Sequence, residues 1–295
     1  MLSILIPTYN YDVTALVINL QHQCLKIKDL VFEVLVYDDA SVLFRNENSK
    51  INSYEHCSCT FLEQNIGRSA IRNMLACNAT YENLLFLDAD VQLITEEFVA
   101  NYLEVMNENK DFEVVYGGIV YQNKMPESEK LLRWVYGKER EALTAEKRAS
   151  NPYVSFLTLN FLIRKKTFDK VSFNENIPNL RYEDLLFSYH LMMQNIRMIH
   201  INNEVVHNGL ETSTGFLTKT DESLKGLRYL LDHDLIPYDY ARITSVYHTL
   251  KNLKLTGLVR FLFSISNRFF KRNLLNNKPS LFIFDIYRLG YFSTL

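Results

Sequence analysis

The chain predicts an α/β fold built on a central, mostly parallel sheet, with a helical extension at its C-terminal end. Three observations carry that expectation. Short apolar runs alternate with segments of helical spacing as far as Tyr121. The runs are continuously apolar rather than alternating, as strands covered on both faces are. Polar residues gather where the runs stop, the edge at which open α/β sheets collect their functional groups.

Residues 2–7 form the first predicted strand, stopped by Pro7. Asp12 to about Lys28 has helical spacing through Val13, Leu16, Val17, Leu20 and Cys24, and Val31–Tyr37 is the second strand, ending at Asp38-Asp39. A polar stretch leads to a short strand at Phe61-Leu62-Glu63 and a helix over Asn65–Thr80. Leu84–Leu87, Thr95–Asn107 and Phe112–Tyr121 continue the alternation as strand, helix and strand. Beyond Glu127 the pattern is less regular. Val154–Ile163 is strand-like, Glu183–Met193 helical, Arg197–Ile201 and Glu204–His207 extended, and Thr218 to about Lys251 helical with an interruption at Pro237. The expected organisation is a domain over 1–250 and a basic, aromatic helical tail over 251–295.

Hydrophobic residues make up 47% of the chain, with 18 Tyr and 19 Phe, ample for a core, yet no run approaches the roughly 20 apolar residues of a spanning helix. The start, Met1-Leu2-Ser3-Ile4-Leu5-Ile6-Pro7, lacks the basic head of an export signal. Cys57-x-Cys59 is a poor zinc knuckle with no second pair, so Cys24, Cys57, Cys59 and Cys77 are expected as free thiols of a reducing, cytoplasmic setting. A net charge of −2 argues against nucleic acid as a partner. The tail is different. Residues 251–295 hold eight Lys and Arg against one acid, Asp285, together with Leu258, Val259, Phe261, Leu262, Phe263, Ile265, Phe269 and Phe270. Such a segment is either a helical subdomain with a solvated basic face or one that also touches an anionic membrane from the cytoplasmic side.

Chemistry is concentrated at the strand exits. Leu84–Leu87 runs into Asp88-Ala89-Asp90, and alternate side chains of an extended segment share a side, so both carboxylates can face one hard cation, Mn²⁺ or Mg²⁺. The plainer alternative is a cap for the helix near Glu96. Asp38 or Asp39 can accept from a base N–H or a ribose hydroxyl, with the backbone of Pro7 and Thr8 bracketing the base. Neither G-x-G-x-x-G nor a P-loop is present, so a metal is the obvious neutraliser for a diphosphate. Asn65 can cap the next helix, Gly67 permits close backbone approach, and Arg68 and Arg72 stand four apart on one face. Glu183 and Asp184 open a later helix as either a general base with its partner or simple N-terminal charge. His207 is a candidate third metal ligand or a structural histidine, and Trp134 and Tyr136 are a sugar platform or core.

Taken together, SILIPTYN, VLVYDDAS, QNIGRSAIRN, LLFLDADV and RYEDLLF, in that order over about residues 2–210, resemble the inverting family 2 glycosyltransferases of GT-A fold. The resemblance implies a single nucleotide-diphospho-sugar transferase domain of that fold. It implies that Pro7, Thr8 and Asn10 form the first nucleotide loop, that Asp39 reads the base, and that Asn65 and Arg68 line the pocket. Asp90 would be the principal metal ligand, Asp88 would turn toward ribose or sugar while sharing the metal site, and His207 would add to the metal shell. Asp184 would be the catalytic base and Glu183 its neighbour. The implied reaction moves one sugar from a nucleotide-diphosphate donor, a UDP-sugar first, to a carbohydrate or glycolipid hydroxyl of surface polysaccharide or glycolipid synthesis, with inversion. The Q-x-x-R-W motif of processive members does not follow the proposed base. The rival expectations are a sugar-1-phosphate nucleotidyltransferase, although PTYNYD lacks that class's glycine-rich basic loop, and a non-catalytic sugar-nucleotide-binding scaffold.

Overall fold

The computed structural model describes Met1–Leu295. The chain opens with β1 (Leu2–Thr8), α1 (Thr14–Lys26), β2 (Phe32–Asp38), a short α2 (Arg45–Ser49), β3 (Cys57–Phe61) and α3 (Arg68–Asn78). It continues through β4 (Asn83–Leu87), β5 (Val91–Leu93), α4 (Phe98–Glu108), β6 (Val114–Tyr116) and β7 (Ile119–Val120). Next come α5 (Leu131–Tyr136), α6 (Ala145–Ala149), β8 (Asn160–Arg164), α7 (Lys165–Val171), α8 (Glu183–Met193), β9 (Met198–His200) and β10 (Val205–His207). Four helices close the chain: α9 (Ser213–Asp232), α10 (Arg242–Asn252), α11 (Thr256–Leu274) and α12 (Leu281–Phe292). No helix is long and apolar enough to cross a membrane.

These elements pack as two compact units. The first comprises residues 1–120, 142–175 and 183–209; the second comprises 121–141, 176–182 and 210–295. The charge boundary near residue 250 therefore falls inside the second unit, and the single domain expected over 1–250 is divided between the two.

The first unit is built on a seven-stranded sheet of order β3-β2-β1-β4-β8-β6-β9. Only β8 runs against its neighbours, so the mostly parallel expectation holds. β1 and β4 are buried almost throughout, which is why their sequences are unbroken apolar runs. β1 has β2 on one side and β4 on the other, so the strand order reverses there and a crevice opens beyond their carboxyl ends. Phe86, Phe161 and Phe168 stack beneath it, and Phe187 of α8 joins the same core, 4.2 Å from the Phe173 ring.

A small second sheet, β5-β10-β7, carries the end of the first unit back to the crevice. The pattern over 112–121 breaks into β6 and β7 because Gly117-Gly118 interrupts it, with Gly118 at φ +86°. A Cβ on Gly118 would lie 2.3 Å from Arg148 Nη1. That buried guanidinium donates to the carbonyls of Gly117 (3.2 Å) and Ile201 (2.6 Å). Asn160 Nδ2 donates to the carbonyls of Gly118 and Asn203, both at 2.9 Å, while Tyr102 donates to Asn160 Oδ1 at 2.7 Å. These bonds tie the Gly117-Gly118 break to Ile201 and Asn203, the residues just ahead of β10, which ends at His207.

Other expectations need correction. β3 begins at Cys57, four residues ahead of the predicted strand, because Val34 to Asp38 of β2 pair with Cys57 to Phe61. The strand expected from Val154 starts only at Asn160; before it the chain turns, and Tyr153 donates to the Ile196 carbonyl at 3.0 Å. Asp88 and Asp90 cap no helix, since β5 intervenes and α4 begins at Phe98. Asn65 does not cap α3, whose N-cap is Gly67. All four cysteines are free, and burial pushes the Cys24 thiol up to about 12 and Cys57 to about 11.

The second unit is helical. Its core gathers Leu132, Leu217, Phe263, Leu274, Leu281, Phe284 and Tyr287. The helix predicted over 218–251 is two helices, α9 capped by Thr212 and α10 beginning after Pro237. Tyr136 is core here, its ring edge-on to Phe284, and Trp134 donates to the Gln122 carbonyl at 2.8 Å. α11 and α12 pack closely: a Cβ on Gly290 would lie 2.3 Å from the Phe263 ring.

Candidate active site

The crevice at the β1/β4 reversal is a cleft of about 170 Å³ lined by Pro7, Thr8, Tyr9, Asp39, Arg68, Ile71, Arg72 and Asp88-Ala89-Asp90. Three strand exits and the start of α3 therefore supply it, as the sequence predicts. A larger hollow of about 510 Å³ beside Ile27, Leu103 and Glu104 has no comparable set of polar groups.

Parallel pairing builds the nucleotide side. The Asp39 N–H donates to the Thr8 carbonyl at 2.9 Å, which brings the ends of β1 and β2 together. The Asp39 carboxylate accepts from the N–H groups of Ile66 (2.7 Å) and Gly67 (3.1 Å), and Asn65 Nδ2 donates back to the Asp39 carbonyl at 3.1 Å. Asp39 thus holds the entrance to α3 while its remaining lone pairs face the cleft. Gly67, at φ +86°, supplies the turn that leads into the helix. Asn10 braces a neighbouring loop instead. Its Oδ1 accepts from the N–H groups of Val42 and Leu43, at 2.9 and 3.0 Å, and so closes the loop after β2. Asn10 and Ala40 both sit in left-handed backbone, at φ +52° and +61°. Such strain clusters at ligand clamps.

The paired acids have separate partners. Asp88 Oδ1 lies 2.7 Å from Arg72 Nη2 in a largely buried ion pair. Burial pushes the Asp88 carboxyl above the usual carboxylate range, and the Arg72 charge pulls against that rise. Asp90 Oδ2 lies 3.2 Å from His207 Nε2. The small sheet makes this contact: β10 pairs antiparallel with β5, and Asn208 N–H donates to the Asp90 carbonyl at 2.9 Å. His207, remote in sequence, is thereby brought beside Asp90. Gly209 leaves the room. A Cβ there would lie 2.0 Å from Asp90 Oδ2 and 2.9 Å from His207 Nε2.

That pocket fits a hard divalent ion. One carboxylate and one imidazole, with a glycine keeping the space beside them open, match a cation that completes its shell with water and substrate phosphates. No group of three or more His, Cys, Asp or Glu side chains is gathered as a full protein cage. Asp88, expected to share the ion, is directed to Arg72.

On the other flank, α8 presents Glu183 and Asp184 in its first turn, anchored by Phe187 and Leu191 in the core. Glu183 Oε1 lies 3.8 Å from Arg68 Nη1 and 3.9 Å from Arg72 Nη1. Asp184 Oδ1 accepts from the Leu185 N–H at 2.8 Å. Burial, followed by the neighbouring Glu183 charge, pushes the Asp184 carboxyl up to about 6, with Arg72 and Arg68 opposing. A carboxylate poised there can accept a proton near neutrality.

Arg72 is the residue whose role sequence reasoning leaves open. Its guanidinium, 5% exposed, bridges Asp88 and Glu183 and lies 5.5 Å from the centre of the Phe173 ring. The available signal is its place one turn beyond Arg68 on the helix that opens at the cleft. Gly209 and Tyr11 carry no mark in the sequence; burial, and then the Asp90 charge, raises the Tyr11 hydroxyl.

A family model for glycosyl transferase family 2 matches residues 3–173. No curated protein matches the chain. Among solved structures, the mannosyltransferase PcManGT from Pyrobaculum calidifontis, in complex with GDP-Man and Mn²⁺, is similar with a TM-score of 0.53 at 14% identity, covering 78% of this chain and 64% of that one. Residues 1–349 of S. aureus TarS, in complex with UDP-GlcNAc, give a TM-score of 0.53 at 18% identity over 99% of this chain and 89% of that one. Glucosyl-3-phosphoglycerate synthase from Mycobacterium tuberculosis, in complex with Mn²⁺, UDP and glucosyl-3-phosphoglycerate, gives 0.52 at 13% identity over 81% of each chain. The chain thus spans just under two thirds of the mannosyltransferase. At such identities the likeness is one of fold.

Proposed function

The chain belongs to glycosyl transferase family 2, and from that premise we propose that it moves one sugar from a nucleotide-diphosphate donor to an acceptor hydroxyl, with inversion and with a divalent cation. The observation that carries this reading is the convergence in one unit of a nucleotide-side acid, an Asp90–His207 pair and a raised carboxyl at Asp184. Mn²⁺ in two of the similar structures, with UDP or GDP-Man, supports the donor class and the metal.

In this reading Pro7, Thr8 and Asp39 hold the base and ribose, with Asn65 and Asn10 keeping the loops that bracket them in place. Arg68 stands at the mouth of α3. Asp90 and His207 would hold Mn²⁺ or Mg²⁺, which when bound offsets the charge that grows on the departing diphosphate. Asp88, fixed by Arg72, orients the donor. Asp184 takes the proton of the acceptor hydroxyl as that oxygen forms its bond to the anomeric carbon. The bond from that carbon to the diphosphate oxygen breaks, and the nucleoside diphosphate leaves with its electron pair. Glu183, between two arginines, keeps Asp184 in register. The acceptor in this reading is a carbohydrate or glycolipid at the cytoplasmic side of a membrane.

The test is a panel of nucleotide sugars with and without Mn²⁺, read by thermal unfolding and by nucleoside diphosphate release. A cognate donor at about a hundred times its Kd should add about 2.7 kcal/mol of stability, only when metal is present. Asp90→Ala should erase that metal dependence. If no donor gives a metal-dependent shift and none releases a nucleoside diphosphate, the reading fails.

A further inference from the structure

α11 is apolar on two faces, and only one of them is packed. Its inner face sends Phe263 and Leu274 into the core of the helical unit, with Phe270 against it. Its outer face carries Leu258, Phe261, Leu262, Ile265 and Phe269, at positions i, i+3, i+4, i+7 and i+11, which is one continuous stripe at helical spacing. Those five side chains are between 48% and 64% exposed. Single exposed apolar residues are ordinary on a protein surface, but an aligned row along one helix is a contact surface without its partner.

The charge around the stripe says what that partner is. Residues 251–284 contain seven Lys and Arg and no acid. Arg268 and Arg272 fall on the edge of the stripe itself, Lys254 lies just ahead of the helix, and Lys271 sits beside Arg272; all four are exposed. A second copy of this chain would set this cationic face against its own like, which is repulsive. An anionic lipid surface complements it in both respects: acyl chains take the apolar row, and long basic side chains reach up to the phosphates. The helix is not apolar enough to cross the bilayer, so its geometry is that of a helix lying in the interface.

We propose that the outer face of α11 is a docking surface for anionic lipid bilayers. The proposal concerns the helical unit alone and does not rest on the transferase reading.

The test is co-sedimentation of the full chain with phosphatidylcholine vesicles, with and without phosphatidylglycerol. Binding should require the anionic lipid and fall as salt rises, because screening removes the attraction. The double variant Phe261→Glu/Ile265→Glu should lower partitioning about tenfold or more by placing charge in the apolar row. Arg268→Glu/Arg272→Glu should do the same through charge. Both pairs are solvent-facing, so far-UV circular dichroism and the melting temperature of each variant should match the parent, and nucleoside diphosphate release reports separately on the transferase reading. Failure to sediment with anionic vesicles at low salt overturns the proposal, as does parent-like binding by folded variants. It is equally overturned if light scattering finds a dimer that Phe261→Glu/Ile265→Glu disperses while vesicles are ignored; the stripe would then be covered by a second copy.

Discussion

α3 and α11 each carry two arginines four residues apart, Arg68/Arg72 on the first and Arg268/Arg272 on the second. On paper the pairs are equivalent, since each puts two cations on one helix face. Their fates are opposite. Arg72 is buried between Asp88 and Glu183, and Arg68 reaches toward Glu183. Arg268 and Arg272 face outward in a segment without acids, beside a row of exposed apolar side chains. What separates them is what the surrounding fold brings near. α3 starts beside a strand exit that ends in carboxylates, and α11 does not. A cation pair therefore has no fixed meaning until its neighbours are known.

That contrast can be broken or sharpened by substitution. The largest effect should come from the acid that the α3 cations face. Asp184→Asn should lower turnover by about 10²–10⁴-fold while sparing donor binding, measured by nucleoside diphosphate release and by thermal shift with donor. The base works only when unprotonated, so parent turnover should fall as the pH drops through about 6. Unchanged turnover in Asp184→Asn would remove the residue from the mechanism.

Next in size is the buried cation. Arg72→Leu leaves Asp88 and Glu183 facing each other without their shared guanidinium, and breaking a buried pair costs about 3–5 kcal/mol, readable in urea unfolding. Where enough folded protein remains, the acidic limb of turnover should also move to higher pH, because Arg72 opposes the rise at Asp184. A stability loss under 1 kcal/mol, by the about 3–5 kcal/mol scale above, would make Arg72 no different from its counterparts on α11.

Gly209→Ala should be smaller in stability and specific in effect. The added methyl meets Asp90 Oδ2 and His207 Nε2, so metal affinity should fall about 10–100-fold, the scale of disturbed ligand support. Titration of donor binding with Mn²⁺ measures it, and parent-like metal dependence would show that the pocket tolerates the methyl. Least affected of all should be Arg272→Leu, expected to change folding stability by no more than about 0.5 kcal/mol. A larger loss there would mean that the outer face of α11 is not free.

How much of the molecule is legible in its residues follows from which contacts are local. β1 and β4 are plain because a strand buried on both faces needs an unbroken apolar run. The strand-exit polar groups follow from that, and α8 is placed residue for residue by its own periodicity. β3 escapes because its register is set by pairing with β2, and its own sequence, Cys57-Ser58-Cys59, carries little signal. The break between β6 and β7 is hidden because two glycines look like a tolerated weakness until Arg148 occupies the space beside them.

By itself the sequence determined the alternation of strands and helices, the edge at which chemistry collects, and the basic, apolar character of the C-terminal helices, since each is written in side-chain type and near-neighbour spacing. Only the tertiary structure decided that Asp88 belongs to Arg72 and that Asp90 belongs to His207. It also divided the chain into two units, and it left one apolar face of α11 outside. Those outcomes depend on residues brought together across many positions of chain, and on what fills the space between them, which no local pattern encodes.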